Sequence, residues 1–437
     1  MSEPSAPLRE PLHGRVAGLL ERAFNPIMLK ELRASLRGTR FFVSHLVILS
    51  LFAGGLMLAF LSMIPTRSGN YDDPGDPSIV GRRVYLITQL LQLGVAFLVV
   101  PGLAATSIST ERESLTHDLL LTTTMTARQI VWGKFTAAMT QAFTLFISMV
   151  PLVSLCFLFG GVTVYQILAN YAFLFGLSAV MIAYALSMSA NARSTQRAVG
   201  SVYGLTLLGG IIASVVVGSL FNTELFEGLA VAYGFASPGE MGRAAGMDLM
   251  SRILYVYVAP GFLWASLLSL FFLNATNRLK PHFANRSTAL RIYFAAFLLG
   301  AAAITVLSLR HSLPWNSPAE ERSYALMTFS IVALTITLLG SLFACEEPLL
   351  PPHLAAELAS FRGWRRGLWI LWPGSGSGAA FSLVTTALFL ALALVGLRTF
   401  TRGFDRGAWA GSPSALPLAV AFLMVFCWTF FTTLLAR

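Results

Sequence analysis

About ten apolar runs of roughly twenty residues, separated by short polar stretches, leave this chain few ways to fold. They lie near 41–64, 84–107, 135–159, 163–190, 200–220, 253–273, 291–309, 325–345, 378–397 and 415–436. Each, coiled as a helix, is long enough to cross a hydrocarbon core of about 30 Å. In lipid every backbone amide and carbonyl needs an internal partner, so the expected fold is an all-α polytopic membrane protein with about ten transmembrane helices. Composition agrees, with 11% charged residues against about 25% in soluble domains. The runs nearly exclude charge, since a Lys, Arg or Asp at a helix centre costs about 2.5–3.5 kcal/mol to insert. His45, Gln89, Gln92, Gln141, Gln166 and Asn170 are the polar exceptions. Cys156, Cys345 and Cys427 fall in or at the ends of different runs, where they read as small hydrophobes and offer neither a disulfide framework nor a metal site.

Basic residues set the orientation. With the N-terminus inside, one set of alternate loops collects 20 Lys and Arg and the other 10. That excess places both termini in the cytoplasm of a multi-pass protein of the plasma membrane, the inner membrane in a bacterium. The net charge of +10 is then mostly a topology signal, with anionic lipid headgroups as counterions; no basic soluble domain is available for nucleic acid. A cleavable signal peptide is not expected, because the first 40 residues carry seven basic residues and no continuous apolar stretch. The longest stretch outside the runs is about 40 residues, below the usual domain minimum of about 50. No phosphate-binding G-x-x-x-x-G-K-[ST] occurs: Gly133-Lys134 lacks the upstream glycine. Gly374-Ser375-Gly376-Ser377-Gly378 reads as a flexible linker. Any ATP-driven work therefore needs an ATPase on another chain, and this chain is expected to bind no cofactor itself.

Two polar segments carry the functional signal. Asn25-Pro26 reads as an N-cap followed by proline at the first helical position. On the helix that follows, within a cytoplasmic segment 1–40, Met28, Leu29, Leu32 and Leu36 share one side while Lys30, Arg33, Arg37 and Arg40 cluster on a neighbouring arc. Such a helix suits the membrane interface, with its cations on lipid phosphates. The second segment runs from Thr110 to Lys134. Thr110-Glu111-Arg112-Glu113 reads as a capping box that starts a short helix near Glu111, and Thr126-Ala127-Arg128-Gln129 repeats the signal for a helix running back into the membrane. Between them, the β-branched, hydroxylated Thr122–Thr124 is poor helix material.

The order of these segments, an interfacial helix, two spans, then TERESLTHDLLLTTTMTARQIVWGKF, resembles the permease subunit of type-2 ATP-binding-cassette (ABC) exporters over residues 20–285. The family's E-R-E-x-x-T-x-x-x-L-L-x-T-P-x-x-x-x-x-I-x-x-G-K pattern is matched by Glu111, Arg112, Glu113, Thr116, Leu120, Leu121, Thr123, Ile130, Gly133 and Lys134. Thr124 stands where the family has proline, and Leu115 where it often has glycine. The resemblance implies a six-span permease domain over 41–285, with a coupling helix at 110–122 that docks on a cytosolic ABC ATPase subunit. It also implies a second permease copy or paralogue, and ATP with magnesium held by the ATPase. Glu111, Arg112, Glu113, Leu115, Thr116, Leu119 and Leu120 are the candidate coupling residues; the acids suit a helix start, and Leu115 and Leu119 form a small apolar ridge.

Residues 221–248, too apolar for a solvated loop and divided by Pro238-Gly239, resemble the surface or re-entrant helices at this place in such permeases. Gly200, Gly204, Gly210, Ser214 and Gly218 form a small-residue stripe where another helix can approach, within the bundle or across a dimer. Residues 286–437 exceed the six-span core and read as an additional four-span bundle, since Pro348, Pro351 and Pro352 forbid a continuous second coupling helix. Three function classes compare unequally. A secondary transporter needs an ionisable residue or broken helix near the midplane, and only His45 comes close. A membrane enzyme needs converging acids, histidines or metal ligands at one depth, whereas the six His are scattered. The exporter permease, which performs no covalent chemistry, fits best; a secondary transporter or a membrane scaffold is the alternative. In a cysteine-free background, Asp76→Cys should react with an impermeant maleimide in intact cells and Ser114→Cys only after permeabilisation. Labelling of Ser114→Cys from outside would reverse the orientation.

Overall fold

The computed structural model describes residues 26–62, 77–114, 125–158, 160, 162–220, 258–281, 284–310, 352–360, 367, 369–374, 376–385 and 387–388. Helices alone form the regular structure among them. Five stretches are long and apolar enough to cross a membrane: Phe41–Leu58, Gly81–Glu113, Ala127–Phe157, Val164–Asn191 and Ser287–Ile304. The chain is thus an all-helical membrane protein. These five correspond to the first four expected spans and the seventh. The eighth and tenth expected spans and the 221–248 segment lie outside the described residues, as does half of the ninth. The chain divides into two compact units, with the boundary near Val216.

The first unit begins with α1 (Pro26–Arg37), which starts on a proline and stops at Gly38. Then follow α2 (Thr39–Ser62), α3 (Pro77–Leu98), α4 (Val100–Ala105), α5 (Ser109–Glu113), α6 (Ala127–Leu158), α7 (Val164–Asn191) and α8 (Thr195–Leu220). Helix α7 is the hub, packing on α3, α4 and α6, while α1 lies against α6. About 61% of the most apolar stretch of α7 is buried in the protein against 11% for α2, so α2 is the helix left to face lipid. Two capping boxes set helix starts: Thr163 with Gln166 for α7, and Thr126 with Gln129 for α6.

The helices are held in register by a buried polar seam. Asn170 Nδ2 donates to Gln92 Oε1 at 2.8 Å, Gln92 Nε2 to the Tyr171 hydroxyl at 3.1 Å, and the Tyr85 hydroxyl to the Gln166 carbonyl at 3.0 Å. Such bonds between membrane helices contribute only about 0.6 kcal/mol each on average. Their larger effect is to disfavour any rotation of α3 against α7 that would leave an amide in hydrocarbon without a partner.

The second expected span is longer than the sequence indicates and is broken twice. Val99 and Pro101 interrupt it between α3 and α4, and Tyr203 of α8 donates to the Leu98 carbonyl there at 2.8 Å. Gly102 sits so close beneath that hydroxyl that a Cβ would approach it to 2.7 Å. The second break, at residues 106–108, leaves the amides of Ile108 and Ser109, and both donate to Ser189 Oγ of α7 at 3.1 Å. The expected capping box at Thr110 therefore does not form. Its amide donates to the Thr106 carbonyl at 3.0 Å, helix α5 starts at Ser109, and Glu111–Glu113 end the second span instead of opening a separate helix.

In the second unit α9 (Ala259–Leu279) and α10 (Ser287–Arg310) pack together, and the Tyr293 hydroxyl donates to the Ser266 carbonyl at 2.8 Å. Helix α11 (Pro352–Ala359) starts on a proline. Arg291, fully buried, reaches the turn before a helical stretch at 376–385: its Nη1 donates to the carbonyls of Ile370 and Trp372 and to Ser377 Oγ, and its Nη2 to the Gly374 carbonyl. The Gly-Ser stretch expected to be a flexible linker thus has Gly374 held by Arg291 and Gly376–Gly378 opening a helix. Gly374 takes φ +133°, open to a residue without Cβ, and Gly378 donates to its carbonyl at 2.9 Å.

Candidate functional site: a buried ion cluster at the end of the first unit

The end of the first unit that carries α1, α5 and the start of α6 is organised by Lys134. This residue lies two turns into α6, and its side chain is 2% exposed. An isolated ammonium there would be too costly, so its three protons must find acceptors. They do: Nζ sits 3.0 Å from Glu31 Oε1 of α1, 2.8 Å from Glu111 Oε1 of α5 and 3.0 Å from the Ser107 carbonyl at the break in the second span. One cation thereby joins three elements far apart in sequence. Glu31 and Glu111 keep 31% and 17% exposure, which softens the cost of two carboxylates around one ammonium.

The two residues after Glu111 extend the same joint to α7 and α8. Arg112 Nη1 donates to the Ala192 carbonyl at 2.9 Å and Nη2 to the Ala190 carbonyl at 3.2 Å, where a cation is favoured by the C-terminal end of the helix dipole. Glu113 takes the opposite end of the next helix. Its Oε1 accepts from the Thr195 amide at 2.8 Å and its Oε2 from the Thr195 hydroxyl at 2.5 Å, capping the start of α8. Each member of Glu111-Arg112-Glu113 therefore has a partner inside the protein.

Of the residues singled out from the sequence, Glu111, Arg112 and Glu113 come together with Lys134; Leu115, Thr116, Leu119 and Leu120 lie outside the described residues. Lys30, Arg33 and Arg37 are exposed on α1, as an interfacial arc requires, while the Arg40 side chain is not described. Gly200 and Gly204 are exposed, and a Cβ at either would meet nothing within 4 Å, so no described helix uses that part of the stripe. The surroundings of Gly210, Ser214 and Gly218 are not described. Sequence reasoning singled out neither Glu31 nor Lys134 as a site. The available signal was Lys134 itself, a cation bordering an apolar run that calls for a partner. Among the described residues no group of His, Cys, Asp and Glu is placed to hold a metal ion.

Comparison with known protein families, with curated proteins and with solved structures finds no match to this chain.

Removing the hub should loosen the whole joint. Lys134→Met leaves Glu31 and Glu111 facing each other, and the expected loss is about 3 kcal/mol, the lower end for a broken buried pair because both acids keep some solvent. Glu111→Gln, which preserves the pair with Glu31, should cost less. Reversible unfolding in mixed micelles measures both, and a Lys134→Met variant as stable as wild type would show the cluster to be incidental.

Proposed function

We propose that this chain is the membrane-spanning permease subunit of an ATP-driven exporter of the type-2 ABC class, coupling hydrolysis by a separate cytosolic ATPase to translocation. The observation that carries this reading is the meeting of its two sequence signals in one ion cluster. The interfacial helix supplies Glu31, and the E-R-E and G-K ends of the connecting pattern supply Glu111 and Lys134. A protein that must pass force from a docked ATPase to its spans needs a stiff joint beside the docking segment, and the cluster is built on residues that precede and follow 115–124 in the chain. Arg112 and Glu113 lead from that segment to α7 and α8.

The charged triplet in this reading is the inner side of the joint, and the docking contact falls to the residues after it, Leu115 and Leu119 foremost. The ATPase holds ATP and magnesium; this chain holds neither. A second permease copy or a paralogue completes the pathway, with the exposed Gly200 and Gly204 on a face open to it. Anionic lipids meet Lys30, Arg33 and Arg37, and the membrane is the plasma membrane with both termini cytoplasmic.

Purification in mild detergent should bring down a Walker-motif ATPase. Leu115→Asp with Leu119→Asp should abolish its retention while leaving membrane insertion intact, because the spans are untouched. Glu113→Lys should retain the ATPase but let it hydrolyse ATP without transport in proteoliposomes, since the link to α8 is lost. If no ATPase co-purifies and both variants behave as wild type in the cell, a secondary transporter or a membrane scaffold is the better account.

A further inference from the structure

We infer that the turn joining α9 to α10 is a binding site for a phosphate-type oxyanion, held by Arg278, Lys280 and Arg286. The inference stands apart from the permease reading and concerns the second unit alone. No Asp or Glu occurs from residue 249 to residue 319, so neither helix nor the turn between them supplies a counter-charge. Into that acid-free stretch the turn gathers three cations.

These cations are folded together. Lys280 Nζ donates to Asn277 Oδ1 at 2.7 Å and to the Asn285 carbonyl at 3.3 Å, while Arg286 Nη2 donates to the Lys280 carbonyl. Asn277 Nδ2 donates in turn to the Arg286 carbonyl at 2.8 Å, which ties the two ends of the turn to each other. Every acceptor in this knot is neutral. Arg278 is exposed, Lys280 and Arg286 are half-buried, and among the described residues no carboxylate bonds any of the three. Arg286 Nε is shut off from water with no hydrogen-bond partner among the described residues.

The orientation signal asks only for basic residues in such a loop, and fully solvated side chains would satisfy it. It does not account for like charges drawn together and partly desolvated. Burial first, and then Arg286, hold the Lys280 ammonium below its ordinary range; burial, and then Arg278, do the same to the Arg286 guanidinium. Helix ends divide the three. Arg278 and Lys280 stand at the C-terminal end of α9, which favours cations, but Arg286 immediately precedes α10, where the dipole favours an anion. An oxyanion on this turn would offset all three charges and suit the start of α10 as well. A phosphate group brings up to about two negative charges and three acceptor oxygens to one point, which matches an arginine fork beside a lysine point charge better than a single carboxylate does. A lipid headgroup and a soluble phosphate share that chemistry.

The test uses the full chain in mild detergent. Inorganic phosphate and, separately, phosphatidylglycerol are the probes, with chloride at equal ionic strength and phosphatidylcholine as their controls. Arg278→Glu is the deciding variant, because its side chain is exposed, no bond of the turn uses it, and it supplies the missing counter-charge. Wild type should melt higher with phosphate than with chloride, or retain phosphatidylglycerol over phosphatidylcholine in native mass spectrometry. Arg278→Glu should lose about tenfold in affinity for the same probe, and without probe it should melt at or above wild type. The cations of α1 meet headgroups equally in both proteins, so the difference between them isolates the turn. Retention of phosphatidylglycerol without a response to phosphate assigns the site to a lipid headgroup, and a response to phosphate, alone or with retention, to a site that also takes soluble phosphate; each supports the inference. A wild type that prefers neither probe to its control, or an Arg278→Glu variant with wild-type affinity, would overturn it. So would an acidic protein that co-purifies with wild type and is lost with Arg278→Glu while neither probe binds.

Discussion

A single ammonium buried in α6 fixes how this end of the protein can be assembled. Lys134 lies in a helix otherwise apolar enough to span a bilayer, and a cation there is tolerated only with acceptors on every side. Glu31 can reach it only if α1 lies across the start of α6, and Glu111 only if the second span continues past its expected end. The Ser107 carbonyl can serve as third acceptor because the helix is broken there and its backbone is not committed to a regular turn. The position of α1, the length of the second span and its break thus follow from one charge balance.

The breaks in the second span determine what the joint can move. A continuous helix from Pro77 to Glu113 would carry any displacement of its inner end straight to its outer end. Here α4 packs on α7 more closely than on α3, and the amides freed at the lower break are taken by Ser189 of α7. Tyr203 pins the upper break to α8. Helix α5 is bonded to α7 and α8 by Arg112 and Glu113 as well. Displacement of α5 is therefore passed first to α7 and α8, while α3 is tied separately to α7 by the Gln92, Asn170 and Tyr171 seam. On the proposed permease reading, this would be the route by which movement of a docking segment reaches α7 and α8.

Features of this fold readable in the sequence are those decided within a few residues. Apolar length located five of the expected spans among the described residues, Thr126 and Gln129 announced the start of α6, and Lys30, Arg33 and Arg37 of the α1 arc are exposed. Features decided across the chain were read less well. Thr110 had the composition of a helix cap, but the helix starts one residue earlier, and the Arg112 amide that such a cap could serve donates to the Ile108 carbonyl. The amides left free before it, of Ile108 and Ser109, find a serine about 80 residues away. The Gly-Ser run at 374–378 had the composition of a linker, yet Arg291, a similar distance earlier, bonds the Gly374 carbonyl and the Ser377 hydroxyl within it. Glu111 and Glu113 were singled out from their pattern, and their direction, inward to Lys134 and Thr195, depended on side chains that the local sequence does not name as partners.

Lys134 locks α1 to the inner end of the second span. With the native cysteines replaced and spin labels placed at Arg33→Cys on α1 and Ser114→Cys after α5, pulsed electron resonance measures the distance between the two elements directly. The distribution should be narrow and single with Lys134 present, and broadened or split by Lys134→Met. An unchanged narrow distribution in the Lys134→Met background would contradict it.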